Sequence, residues 1–264
     1  MLFVIDIGNT NTVLGVYQKD QLIHSWRIKT ERKTTEDEFH ILVRNLFIFG
    51  NVDIKDISRT IASCVVPPMI GILEAFCKKY LKHAPIWVDA KNVSMPICLK
   101  NPDEVGADRL VNAIAAYHKY GGNLIVIDFG TATTFDCISS EGAYLGGAIS
   151  PGIMIASEAL FMNASKLPRV DIYYPPKNVI GKDTAESIQS GIIFGYAGLV
   201  DGIVKRISSE MDGTQTIIAT GGLAPLMANV SECIAHVETD LTLEGLRLIC
   251  HFSKKLEHRV KGNN

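Results

Sequence analysis

The sequence predicts an α/β protein built from two related lobes. One observation is the alternation of short, β-branched apolar runs with longer stretches of helical periodicity. The other is a pair of similar segments, residues 6–12 and 128–134, which share the frame Asp-x-Gly-x-x-x-Thr. Self-similarity of this kind indicates an internal duplication. We therefore expect an N-terminal lobe over residues 1–119 and a C-terminal lobe over residues 120–264.

The first of these segments is predicted to be the tip of a β-hairpin. It separates two apolar runs of strand length, residues 2–5 and 13–17. Gly8 allows the backbone to approach a ligand closely, and the neighbouring asparagine and threonine side chains offer donors to phosphate oxygens. A carboxylate beside the turn, here Asp6, can orient a metal ion that neutralises phosphate. Taken by itself, the segment also fits an ordinary hairpin turn.

The second segment favours a phosphate site over an ordinary turn. It is equally rich in threonine, follows the apolar run 124–127 and precedes the β-like run 135–138. Two phosphate-binding hairpins, one in each half, describe a nucleotide-binding cleft between the lobes.

The remaining elements complete the two lobes. In the first lobe, a capping box at residues 35–38 begins a helix that ends at Gly50. Further strands are predicted at 21–28, 60–66 and 86–88, and a second helix at 69–81. In the second lobe, which follows Gly121 and Gly122, a strand at 142–151 leads into a helix at 151–165. An irregular, proline-rich loop at 166–182, a helix at 184–205, a strand at 216–219, a helix at 241–255 and a frayed tail at 260–264 follow.

Residues 101–109, which read NPDEVGADR, are predicted to enter a helix. Asp108 and Arg109 then lie in or near the first turn, where the helix dipole favours the ionised carboxylate. A solvated charge pair is common at such a position, and this segment alone favours that bland interpretation.

Two glycine patterns mark the second lobe. Thr220, Gly221 and Gly222 directly follow a predicted strand, which suits the close approach of an adenosine moiety. Gly191 and Gly195 lie four residues apart on the long helix, where another helix could approach. Close packing within the lobe and a dimer seam are both possible there, and we prefer the dimer.

The composition excludes several classes of function. With 26 basic and 28 acidic residues, the formal net charge of −2 gives no electrostatic footprint for nucleic acid. We expect no membrane span and no signal peptide. Six scattered cysteines without a Cys-x-x-Cys motif argue against a zinc site or a disulfide framework, and they fit a reducing cytoplasm.

Together, the two hairpins, the double-glycine turn and the acidic helix start suit ATP-dependent phosphoryl transfer. A carboxylate would accept the proton of an acceptor hydroxyl, while backbone donors and cations hold the phosphates. These residues do not name the acceptor.

From end to end, the chain resembles type III pantothenate kinases, within the acetate and sugar kinase, actin and chaperone ATPase superfamily. The matching motifs are residues 6–13, 106–109, 128–134, 146–147 with 150–152, and 220–222, and the NPDEVGADR block is specific to the family. The resemblance implies two lobes of actin-like (ribonuclease H-like) fold around a nucleotide cleft. It also implies transfer of the ATP γ-phosphate to the primary hydroxyl of pantothenate, the first step of coenzyme A biosynthesis.

The resemblance also assigns roles to residues. Asp108 would be the general base, Asp128 would bind a monovalent cation (K⁺ or NH₄⁺), and Asp6 is a candidate ligand of Mg²⁺. Pantothenate would be held by Gly106, Ala107, Asp108, Arg109 and Thr184, with Arg109 suited to pairing its carboxylate. ATP would be bound at the hairpin tips and the double-glycine turn, by Asp6, Ile7, Gly8, Asn9, Thr10, Asn11, Thr12, Val13, Thr131, Gly221 and Gly222.

One departure and two alternatives accompany this interpretation. Family members commonly have a tyrosine where this chain has Leu99, so a pantothenate contact is absent or supplied elsewhere. The alternatives are a non-catalytic, nucleotide-binding accessory factor and a kinase of the same fold that acts on another hydroxyl compound. The presence of Asp108 and of both aspartate hairpins argues against the accessory factor. We expect a cytoplasmic homodimer.

Overall fold

The chain divides into two compact units. The computed structural model describes the backbone of residues 1–261 and side chains up to residue 252; residues 262–264 of the predicted tail lie outside the described residues. Unit 1 comprises Met1–Met95, Lys100–Ala115 and the C-terminal segment from Thr242, and unit 2 comprises Pro96–Leu99 and Ala116–Leu241. These units differ from the predicted lobes 1–119 and 120–264 at residues 96–99 and 116–119, which lie in unit 2, and at the C-terminal segment, which lies in unit 1.

Unit 1 is built on a five-stranded mixed sheet in the order β3-β2-β1-β4-β5. Strands β1 to β3 form an antiparallel meander, and β4 and β5 add in parallel beside β1. The strands are β1 (Leu2–Ile7), β2 (Asn11–Gln18), β3 (Gln21–Lys29), β4 (Arg59–Cys64) and β5 (Ile86–Trp87).

Helices cover the sheet of unit 1. Helices α1 (Glu36–Phe49) and α2 (Pro67–Phe76) pack their apolar side chains on one face, and a π-helical turn, Cys77–Leu81, extends α2. The predicted capping box is confirmed: Thr35 and Glu38 exchange side-chain and backbone hydrogen bonds at the start of α1. The described part of the C-terminal helix α7 (Leu241–Lys261) packs within the same unit, because a Cβ on Gly15 of β2 would lie 3.1 Å from Leu243 Cδ1.

The sheet of unit 2 repeats this arrangement, with the order β10-β9-β6-β7-β8. Again a three-stranded antiparallel meander is joined by two parallel strands beside its first member. The strands are β6 (Asn123–Phe129), β7 (Ala132–Ile138), β8 (Tyr144–Pro151), β9 (Gln215–Gly221) and β10 (His236–Val237). The predicted duplication is therefore confirmed at the level of topology, although β10 was not predicted.

The remaining helices are α3 (Ala107–Tyr120), α4 (Ile153–Asn163), α5 (Thr184–Glu210) and the short α6 (Ala224–Ala228). The predicted irregular loop between α4 and α5 is confirmed, since its residues form neither helix nor strand. The sequence predicted no membrane span, but by length and composition α5 could cross a membrane. A core helix passes the same test, and α5 buries Ile193, Tyr196 and Val200 against the second sheet.

The strand register corrects one detail of the duplication. Asp6 lies opposite Val13 and Asp128 opposite Thr134, so the two aspartates occupy equivalent positions. The sequence frame, however, equates Thr12 with Thr134, whereas the register equates Thr12 with Thr133. The reason is one extra residue in the first tip: its closing bond runs from the Gly8 N–H to the Asn11 carbonyl, whereas the second tip is closed from Gly130 to Ala132.

The first hairpin tip is held by a threonine that follows β3. The Thr30 N–H donates to the Thr10 carbonyl at 3.0 Å, and the Thr30 hydroxyl donates to the Gly8 carbonyl at 2.7 Å. Since the Thr30 proton is used in that bond, the Thr12 hydroxyl is the donor in the 2.9 Å contact between the two hydroxyls. The buried Thr12 side chain therefore braces the tip.

We expect Thr30→Val to lower the free energy of unfolding by about 1–3 kcal/mol, because it leaves the Thr12 hydroxyl and the Gly8 carbonyl without this partner. Chemical denaturation measures the change. Thr34→Val is the matched control, since the Thr34 hydroxyl makes only 3.4 Å contacts. Equal stability of the two variants would show that the brace contributes nothing.

Candidate active site

The exposed part of the first tip is small. Among the predicted phosphate-binding residues 6–13, only Asn9 and Thr10 are exposed. The side chain of Ile7 is buried in the core of unit 1, so a contact between Ile7 and a nucleotide would use its backbone. A Cβ on Gly8 would lie 3.0 Å from the Asn11 carbonyl oxygen, so a side chain there would crowd the turn.

Asp6 lies at the end of the central strand β1 and is held by a serine that the sequence did not indicate. The Ser63 hydroxyl on the parallel strand β4 donates to Asp6 Oδ1 at 2.7 Å. Thr220 occupies the equivalent position opposite Asp128. Each aspartate thus has a hydroxyl residue opposite it on the parallel neighbour. The signal was a hydroxyl residue near the end of each parallel strand, which becomes informative once the strand pairing is known.

At the second tip, Gly221 makes room for the carboxylate of Asp128. A Cβ on Gly221 would lie 2.5 Å from Asp128 Oδ1 and 2.7 Å from the Phe129 carbonyl oxygen, and the residue has a φ of +92°. The carboxylate oxygen and the carbonyl oxygen therefore converge on one point above the glycine. Oxygen ligands of this kind suit a hard cation. Gly221, predicted to contact adenosine, also has this packing role, and Gly222 is exposed.

Thr131 is exposed at the second tip, whose backbone is fixed by Gly152. The Gly152 N–H donates to the Thr131 carbonyl at 3.1 Å, in the same way that Thr30 binds Thr10 in unit 1. Because glycine replaces threonine, the equivalent hydroxyl is missing in unit 2. The Thr133 hydroxyl is accordingly buried without a hydrogen-bond partner in the described structure, whereas that of Thr12 has one. A buried hydroxyl without a partner costs about 1–3 kcal/mol.

Asp108 lies in the first turn of α3, as predicted. Its Oδ1 accepts a hydrogen bond from the Arg109 N–H at 2.8 Å. A Cβ on Gly106 would lie 2.5 Å from the same oxygen, so the glycine makes room for the carboxylate. Burial raises the pKa of Asp108 above its ordinary value, and the backbone N–H and the guanidinium of Arg109 oppose the rise. A carboxylate with a raised pKa is a stronger base, and such groups are concentrated at active sites.

The other predicted substrate residue, Thr184, belongs to unit 2, whereas residues 106–109 belong to unit 1. Thr184 is the exposed first residue of α5, whose N-cap Asp183 accepts the Glu186 N–H at 2.8 Å. Leu99, at the position of the family tyrosine, packs within unit 2. Its Cδ2 would lie 3.2 Å from a Cβ on Gly146.

No three histidine, cysteine, aspartate or glutamate residues within the described part of the chain form a cluster that could hold a metal ion. Asp6 and Asp128 would each contribute a single carboxylate. The single carboxylate of Asp6 fits Mg²⁺, which is usually bound by one or two carboxylates together with substrate phosphates and water.

Solved structures with a similar fold cover nearly the whole chain. A conserved Baf family protein of Campylobacter jejuni, described as a transcriptional activator, matches with a TM-score of 0.61 and 17% identity, over 96% of this chain and 99% of that one. The activator of 2-hydroxyisocaproyl-CoA dehydratase from Clostridium difficile, with bound ADPNP, matches with a TM-score of 0.54 and 12% identity, over 98% and 97%. These likenesses concern the fold alone, and they confirm the predicted actin-like ATPase fold.

Sequence comparison gives the family. The type III pantothenate kinase of Desulfatibacillum aliphaticivorans is 66% identical over 250 residues, which cover 94% of this chain and 97% of that protein. The type III pantothenate kinase of Desulforapulum autotrophicum is 59% identical over 251 residues, covering 94% and 96%. The family model described as type III pantothenate kinase matches residues 2–206. The chain therefore belongs to the type III pantothenate kinase family.

Proposed function

We propose that this chain is an ATP-dependent pantothenate kinase. It transfers the γ-phosphate of ATP to the primary hydroxyl of pantothenate, giving 4′-phosphopantothenate and ADP, as the first step of coenzyme A biosynthesis in the cytoplasm. The observation that carries the proposal is the family match over residues 2–206, which includes both hairpin tips, residues 106–109 and Thr184.

The test is an assay of the purified protein with ATP, Mg²⁺, K⁺ and pantothenate, with the product identified by mass spectrometry. Equal amounts of ADP and phosphopantothenate support the proposal. ATP binding without turnover would favour the accessory factor. Phosphorylation of other hydroxyl compounds but not of pantothenate would favour a kinase of different specificity.

In this proposal the two hairpin tips bind the phosphates of ATP. Backbone N–H groups and exposed side chains at residues 6–13 and at Thr131 donate to phosphate oxygens, and Asp6 holds Mg²⁺ beside them. Gly221 and Gly222 lie next to the adenosine. Support for this placement comes from the equivalent positions of the two tips in their sheets.

Asp108 acts as the general base in the proposal. It accepts the proton of the pantothenate hydroxyl as that oxygen attacks the γ-phosphorus and the bond to the β-phosphate breaks. Arg109 pairs with the pantothenate carboxylate, and Gly106, Ala107 and Thr184 line the same substrate. The raised pKa of Asp108 supports this role, since it makes the carboxylate a better proton acceptor than an exposed aspartate.

Asp108→Asn keeps the shape of the side chain but removes the proton acceptor. We expect a loss of roughly 10²–10⁴-fold in kcat, the usual contribution of a positioned base. ATP affinity should be unchanged, because the phosphate contacts lie elsewhere. Measuring turnover and titrating ATP on the same protein preparation gives the kcat and the ATP affinity of the variant. The control is Asp103→Asn, since Asp103 is exposed in the same segment. If the variant keeps a kcat within a few-fold of the unmodified protein, Asp108 is not the general base and is only a charged residue at the start of a helix.

Stability provides a second readout of Asp108. Because the pKa of Asp108 is raised in the folded state, ionising it costs more free energy in the folded than in the unfolded protein. The protein therefore loses stability as pH rises through the folded-state pKa. Below the pKa of an aspartate in the unfolded chain, about 3.9, this loss of stability is absent. Asp108→Asn should therefore raise the melting temperature at neutral pH, and the gain should shrink towards pH 4. An activity loss with lowered stability at neutral pH would point to misfolding.

The proposal also places a monovalent cation at Asp128. The convergence of Asp128 Oδ1 and the Phe129 carbonyl above Gly221 supports it, and the cation would supply positive charge beside the phosphates. We expect activity to need K⁺ or NH₄⁺ besides Mg²⁺. Gly221→Ala, which displaces both oxygens, should raise the K⁺ concentration needed for half-activation. Gly71→Ala, where a Cβ meets nothing within 4 Å, is the control. Full activity with Na⁺ alone would contradict the assignment.

A homodimer is the last part of the proposal. Gly191 and Gly195 are exposed on α5, and a Cβ on either would meet nothing within 4 Å in this chain. We expect light scattering at micromolar concentration to give the mass of a dimer. Gly195→Leu should give a folded monomer, because a Cβ at this exposed position meets open space in the single chain, whereas a leucine would block the approach of a second helix. A monomer mass for the unmodified protein would exclude the dimer.

A further inference from the structure

Neither predicted phosphate hairpin contains a basic residue. Residues 6–13 and 128–134 include no lysine or arginine, and each segment carries an aspartate. The phosphate chain of ATP is strongly anionic, and phosphoryl transfer is catalysed chiefly by positioning and by electrostatic stabilisation of the transferred group. A protein cation at these phosphates has to come from another part of the chain.

The fold brings Arg32 to the first tip. The segment after β3 wraps the tip through Thr30, which bonds to the carbonyls of Thr10 and Gly8. Two residues further on, Arg32 Nη2 donates to Asn9 Oδ1 at 3.0 Å. Both side chains are exposed. The guanidinium therefore lies on the outer surface of the tip that is proposed to bind the phosphates.

The contact also orients Asn9. Arginine only donates hydrogen bonds, so the carbonyl oxygen of the Asn9 amide faces Arg32 and the amide N–H₂ points elsewhere. The described bond uses one of the five guanidinium N–H donors. The pair thus leaves both amide and guanidinium donors available at the tip, and guanidinium groups bind phosphate through two parallel hydrogen bonds.

The internal duplication shows that closing such a hairpin does not require this arginine. Asn11 pairs with Lys29 in unit 1 as Ala132 pairs with Pro151 in unit 2. Lys29 is therefore equivalent to Pro151. Arg32 lies three residues after Lys29, so its equivalent lies three residues after Pro151 and is Met154, inside α4. The second tip closes with an apolar residue there, so hairpin geometry alone does not account for a cation at the first tip.

We propose that Arg32, docked on Asn9, is a phosphate-binding residue for the nucleotide and neutralises charge on its phosphate chain. This inference rests on the proposed placement of ATP phosphates at residues 6–13. The interaction concerns the phosphates and not the nucleoside, so its contribution should grow from adenosine to ATP.

The test is calorimetric titration of ATP, ADP, AMP and adenosine into Arg32→Gln and Arg32→Lys. Hydrogen bonds to charged groups contribute about 1.5–3 kcal/mol, so Arg32→Gln should weaken ATP binding by about 10–100-fold. Adenosine binding should stay within about twofold, and Arg32→Lys should recover part of the ATP affinity. Because Arg32 is exposed, both variants should keep the melting temperature of the unmodified protein.

Lys33→Gln is the control, since it removes a positive charge at the next, equally exposed residue. Unchanged ATP affinity in Arg32→Gln, an equal loss for adenosine, or an equal loss in Lys33→Gln would overturn the inference. The pantothenate assay, run on the same preparations, separates it from the proposed function. If the protein binds ATP through Arg32 but does not phosphorylate pantothenate, this inference stands and the proposed function is wrong.

Discussion

The pairing of the central strand in each sheet determines where the chemistry of this protein can lie. Each central strand has an aspartate as its penultimate residue, with an antiparallel neighbour on one side and a parallel neighbour on the other. A shift of register by one residue would turn the side chain of Asp6 or Asp128 to the opposite face of its sheet, among apolar core residues, where burying a carboxylate is costly. In each unit the buried core thus fixes the register, and the register places the aspartate beside the hairpin tip of the same sheet.

The two tips share a topology but differ in how they are completed. In unit 1, Thr30 satisfies the Thr12 hydroxyl and leads to Arg32. In unit 2, the equivalent Gly152 begins a helix and leaves the Thr133 hydroxyl without a partner in the described structure. The first tip therefore differs from the second by one extra residue and by the guanidinium of Arg32 beside it. A duplicated fold has therefore specialised at its connections while keeping its strands.

Much of this could be predicted from sequence, because the signals were local. The hairpins, the capping box at Thr35 and the position of Asp108 in the first turn of α3 each depend on residues close in the chain. Ser63 and Arg32 could not be predicted in this way, since their contacts with Asp6 and Asn9 depend on strand pairing and on the path of a connecting segment. The C-terminal helix shows the same limit. Its amphipathic pattern indicates a buried face but does not say which sheet it covers.

Three departures from favourable local structure lie at the candidate site. Gly221 has a φ of +92° beside the Asp128 carboxylate. The lack of a side chain on Gly106 leaves space for the Asp108 carboxylate, and burial opposes the ionisation of Asp108. Each is destabilising or entropically unfavourable by itself. Local rules broken without a gain in packing are expected where function requires a particular placement of charge. An ordinary solvated helix start would neither exclude a side chain beside its aspartate nor raise the pKa of that aspartate, and these two features are the reason for the role that we propose for Asp108.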